Sequence, residues 1–182
     1  MNVHHRVVEY LSGPEELTRK ELVWGIVREP TAPTCSHQAV VGRMFVVLAT
    51  YAGRQGLGKV LVSPVDVVLD EAHALVLQPD IVFVRRRRTH IIIKDRIWGA
   101  PDLVVEVVSP GTRRRDTSVK RRWYRQYGVR EYWIADPVSQ SVEVVTRDEA
   151  TGHVTSRKSK GRRPVRSEVL VGFSEPARTF FE

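Results

Sequence analysis

The chain has 182 residues, of which 29 are Lys or Arg and 21 are Asp or Glu, so its formal net charge is +8. The single cysteine, Cys35, excludes an intrachain disulfide framework and a zinc site built from several cysteines. The longest apolar run, Met44 to Ala49, is much shorter than the ~20 residues of a membrane-spanning helix. We therefore expect a cytoplasmic globular protein with no membrane contact and with a polyanionic partner.

Hydrophobic periodicity and turn residues predict a series of strands and helices. The first predicted elements are a helix at Pro14–Val23, a strand at Val23–Val27, a loop at Pro30–Ser36, a helix from the N-cap Ser36 to Gly53–Gly58, and a hairpin of strands at Val60–Leu69 and Ala74–Val84. The later ones are a strand at Pro101–Val108, a helix at Asp116–Tyr127, strands at Glu131–Ala135 and Val142–Val145, and a loop or edge hairpin at Thr151–Arg166.

This order predicts a single α/β domain over residues 1–182, with a central mixed β-sheet flanked by helices. We place its core at about residues 14–147 and assign residues 148–182 to a basic C-terminal extension with edge strands. One phosphate-loop pattern, Gly53–Lys59, is followed by Val60 where a Ser or Thr is needed, and a helix precedes it. We therefore expect no nucleotide cofactor.

Two carboxylates interrupt apolar strands. Asp80 lies in LVLQPDIVFV and Glu106 lies in PDLVVEVVSP. An ionised carboxylate inside a sheet has to be paired, protonated or bound to a metal. Two of them on neighbouring strands suit one hard divalent cation such as Mg²⁺. Pairing of each carboxylate with one of the many arginines explains them equally well.

Lys120 lies in the predicted helix that follows the Glu106 strand, and it is one of only six lysines in the chain. Lysine is a compact point charge, and beside a metal-bound carboxylate pair it can orient a water and stabilise the charge of a phosphorane. Taken alone, an i,i+4 ion pair with Asp116 on a solvated helix face is the simpler interpretation of Lys120.

The motifs taken in order resemble one family. QPD is followed by PDLVVEVVSP, then by Asp116-x-x-x-Lys120, and then by YGVREYWIADP. This series closely resembles the bacterial restriction endonuclease family Uma-two, which belongs to the PD-(D/E)xK nuclease-like superfamily. The resemblance runs from about Glu21 to Val145, and it implies a restriction-endonuclease-like fold.

The resemblance also implies site residues. Asp80 and Glu106 would ligate Mg²⁺ or Mn²⁺, with the backbone carbonyl of Val107 as a third ligand, and Lys120 would complete the catalytic set. The superfamily places its lysine two residues after the glutamate, where this chain has Val108. In this family the lysine lies in the following helix instead, which implies Lys120.

Two auxiliary positions remain open. Many relatives read D-G-E where this chain has Trp24-Gly25-Ile26, so the chain lacks that glutamate and Glu21 is the candidate to replace it. His37 matches the family and is a candidate auxiliary base or phosphate contact, although partial burial in a structural role explains a histidine at a helix start more simply.

The implied function is metal-dependent endonucleolytic hydrolysis of phosphodiester bonds in DNA, by an enzyme that works as a homodimer. The alternative is a non-catalytic protein of nuclease fold that binds nucleic acid or acts as an accessory. The positive charge is concentrated in Arg85–Arg96, Arg113–Arg125 and Arg157–Arg166. From the first two segments we expect contacts to the nucleic-acid backbone from Arg85, Arg86, Arg113, Arg114 and Arg121.

Overall fold

The computed structural model describes residues 5–13, 19–30, 32–109, 111 and 113–182. Within these residues the α-helices are Val7–Leu11 (α1), Cys35–Arg54 (α2) and Arg121–Gln126 (α3). A π-helical segment, Arg115–Lys120, runs directly into α3. No helix in this described part of the chain is long and apolar enough to cross a bilayer.

Fourteen strands are formed by the described residues. They are Glu21–Val23 (β1), Ile26–Arg28 (β2), Gly58–Val62 (β3), Val67–Asp70 (β4), Leu75–Leu77 (β5), Ile81–Arg85 (β6), Ile92–Ile93 (β7), Arg96–Trp98 (β8), Leu103–Val107 (β9), Glu131–Asp136 (β10), Ser141–Arg147 (β11), Val154–Lys160 (β12), Pro164–Arg166 (β13) and Ser174–Pro176 (β14).

Two six-stranded mixed sheets hold most of these strands. The first has the order β2-β1-β5-β4-β8-β7 and the second has the order β12-β11-β10-β9-β6-β3, while β13 and β14 pair with each other. In the second sheet β9 runs parallel to β10 and the other neighbouring pairs are antiparallel. The predicted mixed α/β class is confirmed, with the strands divided between two sheets.

The predicted hairpin exists, but its two long strands are each broken in the middle. β3 pairs with β6 in the second sheet, whereas β4 pairs with β5 in the first. Each break contains a proline, Pro64 on one arm and Pro79 on the other. Because proline cannot donate a ladder hydrogen bond, the chain leaves one sheet there and enters the other. Asp80 lies at this junction, immediately before β6.

The predicted helix at Pro14–Val23 is wrong at its end, because Glu21–Val23 is strand β1, and residues 14–18 lie outside the described part. The predicted strand Val23–Val27 is interrupted by a two-residue turn. Trp24 and Gly25 have φ values of 53° and 80° there. Positive φ at both central residues is typical of the tight turns that join antiparallel strands, so β1 and β2 form a hairpin.

Helix α2 covers one face of the second sheet. Its N-cap is Thr34 and not the predicted Ser36, because Thr34 Oγ1 accepts a hydrogen bond from the His37 backbone N–H at 3.2 Å. Val40, Met44 and Leu48 recur at helical spacing and are buried in one cluster with residues of β9 and β10. Helix α3 lies in a second core on the opposite face of that sheet.

The C-terminal residues complete the core under α2. Strand β12 pairs with β11 along its whole length and forms the edge of the second sheet. Beyond it, Val165, Leu170, Phe173 and Phe180 are buried in the same cluster as Met44 and Trp133. The chain after residue 147 is therefore packed into the domain and is not a peripheral extension.

A buried carboxylate fastens this C-terminal segment to strand β10. Glu131 Oε2 accepts hydrogen bonds from Trp133 Nε1 at 3.0 Å and from Ser167 Oγ at 2.8 Å. Glu131 Oε1 accepts from the backbone N–H groups of Glu168 and Val169. Four donors depend on this one fully buried side chain.

Replacement of Glu131 by Leu should therefore lower the free energy of unfolding by about 3 kcal/mol, because buried donors are left without an acceptor. Urea unfolding measures this loss. Glu149→Leu is the matched control, since Glu149 is exposed, and it should change the free energy by less than about 0.5 kcal/mol. A loss at Glu131 as small as the control's would contradict the proposed role.

Candidate active site

A cavity of about 590 Å³ opens at the junction of the two sheets. Its lining comes from the segment before β1, the start of α2, the broken hairpin, the end of β9 and the π-helical segment. The charged side chains and His37 among the lining residues are Arg19, Glu21, Glu29, His37, Asp80, Glu106, Arg115, Asp116 and Lys120. The structure thus brings the predicted Asp80, Glu106, Lys120, Val107, Glu21 and His37 to one cavity.

Asp80 is held by the end of β9 and by α2. Its Oδ2 accepts the backbone N–H of Val107 at 2.7 Å and lies 3.3 Å from His37 Nε2. Its Oδ1 lies 2.7 Å from Arg19 Nη1. Burial by itself would raise the pKa of Asp80, but His37, Arg19 and Val107 favour the charged form and lower the pKa to about 2.

Glu106 projects from β9 towards α3. Its Oε1 accepts hydrogen bonds from Lys120 Nζ at 2.8 Å and from Tyr124 Oη at 2.9 Å, and its Oε2 lies 3.6 Å from Arg19 Nη2. Complete burial raises the pKa of Glu106 to about 7, against the opposing effect of Lys120 and with support from the nearby carboxylates Asp116 and Asp80.

Lys120 is buried at the end of the π-helical segment. Its Nζ lies 2.8 Å from Glu106 and 2.8 Å from Glu21, and 3.7 Å from Asp116. The i,i+4 pair with Asp116 exists, but it lies inside the protein and not on a solvated face. Burial alone would lower the pKa of Lys120, and the carboxylates around it raise the pKa above its ordinary value, so the ammonium stays charged.

Glu21 enters the cluster from β1. Its Oε1 contacts Lys120, and its Oε2 lies 2.6 Å from Arg115 Nη2. Burial would raise its pKa, but these two cations outweigh burial and lower the pKa of Glu21. Glu21 thus holds Lys120 and Arg115 in place.

His37 bridges α2 and the broken hairpin. Because an ionised carboxylate only accepts hydrogen bonds, the ring donates from Nε2 to Asp80. Its other nitrogen, Nδ1, is buried without a hydrogen-bond partner among the described residues. The side chain thus positions Asp80 and leaves a second polar atom in the cavity wall.

Sequence reasoning missed three members of the cluster. Arg19 contacts both Asp80 and Glu106, Arg115 holds Glu21, and Tyr124 donates to Glu106. Arg19 lies in a stretch of mixed charge and Arg115 in a run of arginines, with no pattern that singles either out, so only their positions in space identify them. A buried phenol needs a partner, and that rule was the available signal for Tyr124.

The arginines predicted to contact nucleic acid lie outside the cavity. Arg85 ends β6 about 17 Å along the strand from Asp80, at ~3.3 Å per residue, and its backbone N–H donates to Asp102. Arg113 makes a bidentate pair with Asp136, and Arg121 lies 2.9 Å from Glu143. Arg86 and Arg114 are exposed. The first basic segment is thus at the far end of β6 and does not flank Asp80.

The donor chemistry of the site fits a hard divalent cation. Asp80 Oδ1 and Glu106 Oε2 both face one positive group, and Mg²⁺ takes one or two carboxylates with waters in its remaining positions. No group of three His, Cys, Asp or Glu side chains suited to a metal is present in the described residues. The positive group between the two carboxylates in this structure is the Arg19 guanidinium.

A solved structure shares this fold. The chain superposes on the crystal structure of a putative nuclease belonging to DUF820 from Anabaena variabilis with a TM-score of 0.79. The match covers 97% of each chain at 17% sequence identity, which establishes a shared fold. No curated protein matches the chain.

Residues 7–178 match the family Uma2, described as "Putative restriction endonuclease". The chain belongs to this family, as the order of its motifs predicted. Family membership and the shared fold together support nuclease function.

The raised pKa of Glu106 makes stability depend on pH. Between its ordinary value of 4.5 and about 7, the folded protein holds a proton on Glu106 that the unfolded chain has released. The free energy of unfolding should therefore fall as pH rises through this window, by at most about 1.4 kcal/mol per pH unit for one proton.

Urea unfolding of the wild type and of Glu106→Gln between about pH 5 and pH 8 measures this component. The variant cannot titrate at position 106, so its free energy of unfolding should fall less steeply, while all other groups contribute equally to both proteins. Parallel curves would show that Glu106 is already ionised at pH 5.

Proposed function

We propose that this protein is a metal-dependent endonuclease that hydrolyses phosphodiester bonds in DNA. The observation that carries the proposal is the convergence of Asp80, Glu106 and Lys120 on one cavity, from three elements that are distant in the sequence. Membership of the family described as "Putative restriction endonuclease" supports it. Mg²⁺ or Mn²⁺ as the cofactor, DNA as the substrate and a homodimeric assembly remain predictions.

The carboxylates of Asp80 and Glu106, with the Val107 carbonyl, would hold the cation. A divalent cation bound there would polarise a phosphoryl oxygen and lower the pKa of a water. The neighbouring groups fix these two ligands in advance. Val107 N–H and His37 orient Asp80, and Tyr124 orients Glu106. Hydrogen bonds of this kind hold metal-ligating side chains in the orientation that the metal needs.

Lys120 supplies a fixed positive charge. Its raised pKa keeps it protonated, so it donates hydrogen bonds and does not remove a proton from the attacking water. Held by Glu106 and Glu21, the ammonium is placed to stabilise negative charge that develops on the phosphoryl oxygens. This role needs a charge at a defined point, which a lysine delivers.

A second candidate function is nucleic-acid binding without cleavage. The observation in its favour is Arg19, which already pairs with the two carboxylates that would hold a metal. In that case the cluster stabilises the fold, and the basic surface alone contacts the nucleic acid. Cleavage assays separate the two candidates.

Asp80→Asn, Glu106→Gln and Lys120→Ala should each reduce Mg²⁺-dependent nicking of supercoiled DNA by about 10²-fold or more, because each removes a charge from the reacting centre. Glu143→Gln is the matched control. Glu143 lies on the same face of the second sheet as Glu106, two strands away, and does not line the cavity.

Circular dichroism should confirm that each variant is folded before nicking is compared. Nicking by Glu106→Gln at the rate of Glu143→Gln would refute the assignment of the site. A wild type that binds DNA and does not nick it under any divalent cation would favour the second candidate.

The basic segments predict binding that depends on salt. If Arg114 contacts a phosphate, the logarithm of the affinity for duplex DNA should fall with log salt, and Arg114→Ala should make that slope shallower by about 1. A filter-binding or anisotropy titration at four salt concentrations measures it. An unchanged slope would remove Arg114 from the interface.

A further inference from the structure

The Arg19 guanidinium lies between the two carboxylates of the proposed metal site. Its Nη1 is 2.7 Å from Asp80 Oδ1, and its Nη2 is 3.6 Å from Glu106 Oε2. These two oxygens point away from the groups that orient the carboxylates, since Val107 and His37 contact Asp80 Oδ2, and Lys120 and Tyr124 contact Glu106 Oε1. The oxygens left for a cation are therefore those that Arg19 contacts.

A third acceptor fixes the guanidinium in this place. Nη2 also donates to the carbonyl oxygen of Gln78, two residues before Asp80. The backbone there is itself tied down, because Gln78 N–H donates to Glu21 at 3.3 Å and the Gln78 side chain bonds Asp66 and Lys20. The Arg19 guanidinium is thus held in a defined position, and the side chain is only 25% exposed.

Electrostatics explains why the Arg19 guanidinium lies between Asp80 and Glu106. Two buried carboxylates facing each other without a cation are strongly unfavourable, since their charges repel and neither is solvated. A divalent cation removes this cost, and so does a guanidinium. Both cannot occupy the space between Asp80 Oδ1 and Glu106 Oε2 at once, because a directly bound Mg²⁺ lies only ~2.1 Å from its oxygens.

We propose that Arg19 is a built-in competitor of the divalent cation, which occupies the carboxylate pair in the metal-free protein and has to withdraw when the metal binds. This inference rests on the proposed metal site at Asp80 and Glu106. Arg19 would stabilise the metal-free site. It would also weaken the apparent metal affinity, because the metal can bind only during the fraction of time that Arg19 is displaced. A competitor seated 90% of the time reduces the apparent affinity about tenfold.

Isothermal titration with Mn²⁺ in the absence of DNA tests the proposal without any activity readout. Arg19→Gln should bind Mn²⁺ at least about tenfold more tightly than the wild type. The matched control is Arg88→Gln, because Arg88 also pairs with a buried carboxylate, Asp102 at 3.0 Å, and does not line the cavity. This control should bind Mn²⁺ as the wild type does. Arg19→Gln combined with Glu106→Gln should lose the binding.

Thermal unfolding gives the second readout. Metal-free Arg19→Gln should melt below the wild type, and saturating Mn²⁺ should raise its melting temperature more than that of the wild type. If Arg19→Gln does not fold without metal, Arg19→Lys takes its place. Its single ammonium cannot span both carboxylates, so this variant should bind Mn²⁺ more tightly than the wild type.

Equal Mn²⁺ affinity in the wild type and the Arg19 variants, at a site lost in Glu106→Gln, would overturn the competitor and leave the metal site standing. Absence of Mn²⁺ binding in every variant would overturn both the competitor and the metal-dependent function.

Discussion

The structure depends on a cluster of buried charges that has to be neutralised within the protein. Four carboxylates and three permanent cations meet where the two sheets join: Glu21, Asp80, Glu106, Asp116, Arg19, Arg115 and Lys120. Loss of Arg19 or Lys120 leaves buried carboxylates with fewer cationic partners, which costs more than a surface pair contributes. The cluster therefore fixes the relative positions of β1, β6, β9 and the π-helical segment.

The broken hairpin is what creates this location. Pro64 and Pro79 end the ladder between its arms, so each arm serves one sheet before the break and the other after it. Asp80 is the last residue of the break, and its carboxylate accepts a hydrogen bond from the Val107 backbone N–H. In a continuous strand, a backbone carbonyl would accept this hydrogen bond instead. The interruption of the hairpin therefore both opens the cavity and places the Asp80 carboxylate in its wall.

In the function that we propose, the cluster serves both chemistry and stability, and these two roles have opposite requirements. Catalysis on a phosphodiester needs carboxylates free to hold a cation, whereas a stable metal-free fold needs them paired. Arg19 and Lys120 contact different oxygens of these carboxylates. Lys120 is enclosed by Glu21 and Glu106 and stays charged, while Arg19 reaches the opposite carboxylate oxygens from the segment before β1. Lys120 keeps its place between two carboxylates, and Arg19 occupies the position that we propose for the metal.

The sequence by itself determined the family and the α/β class, because the order of the motifs is local information. It also singled out Asp80, Glu106 and Lys120, which the structure brings to one cavity. Apolar spacing likewise located the buried face of α2. The division into two sheets, the partners of Glu21 and the place of Arg19 were decided only by the tertiary structure. Ion pairs between residues far apart in the chain, such as Arg19 with Asp80, leave no periodic signal in the sequence. The sequence therefore does not show which arginine pairs with which carboxylate, and only the fold does.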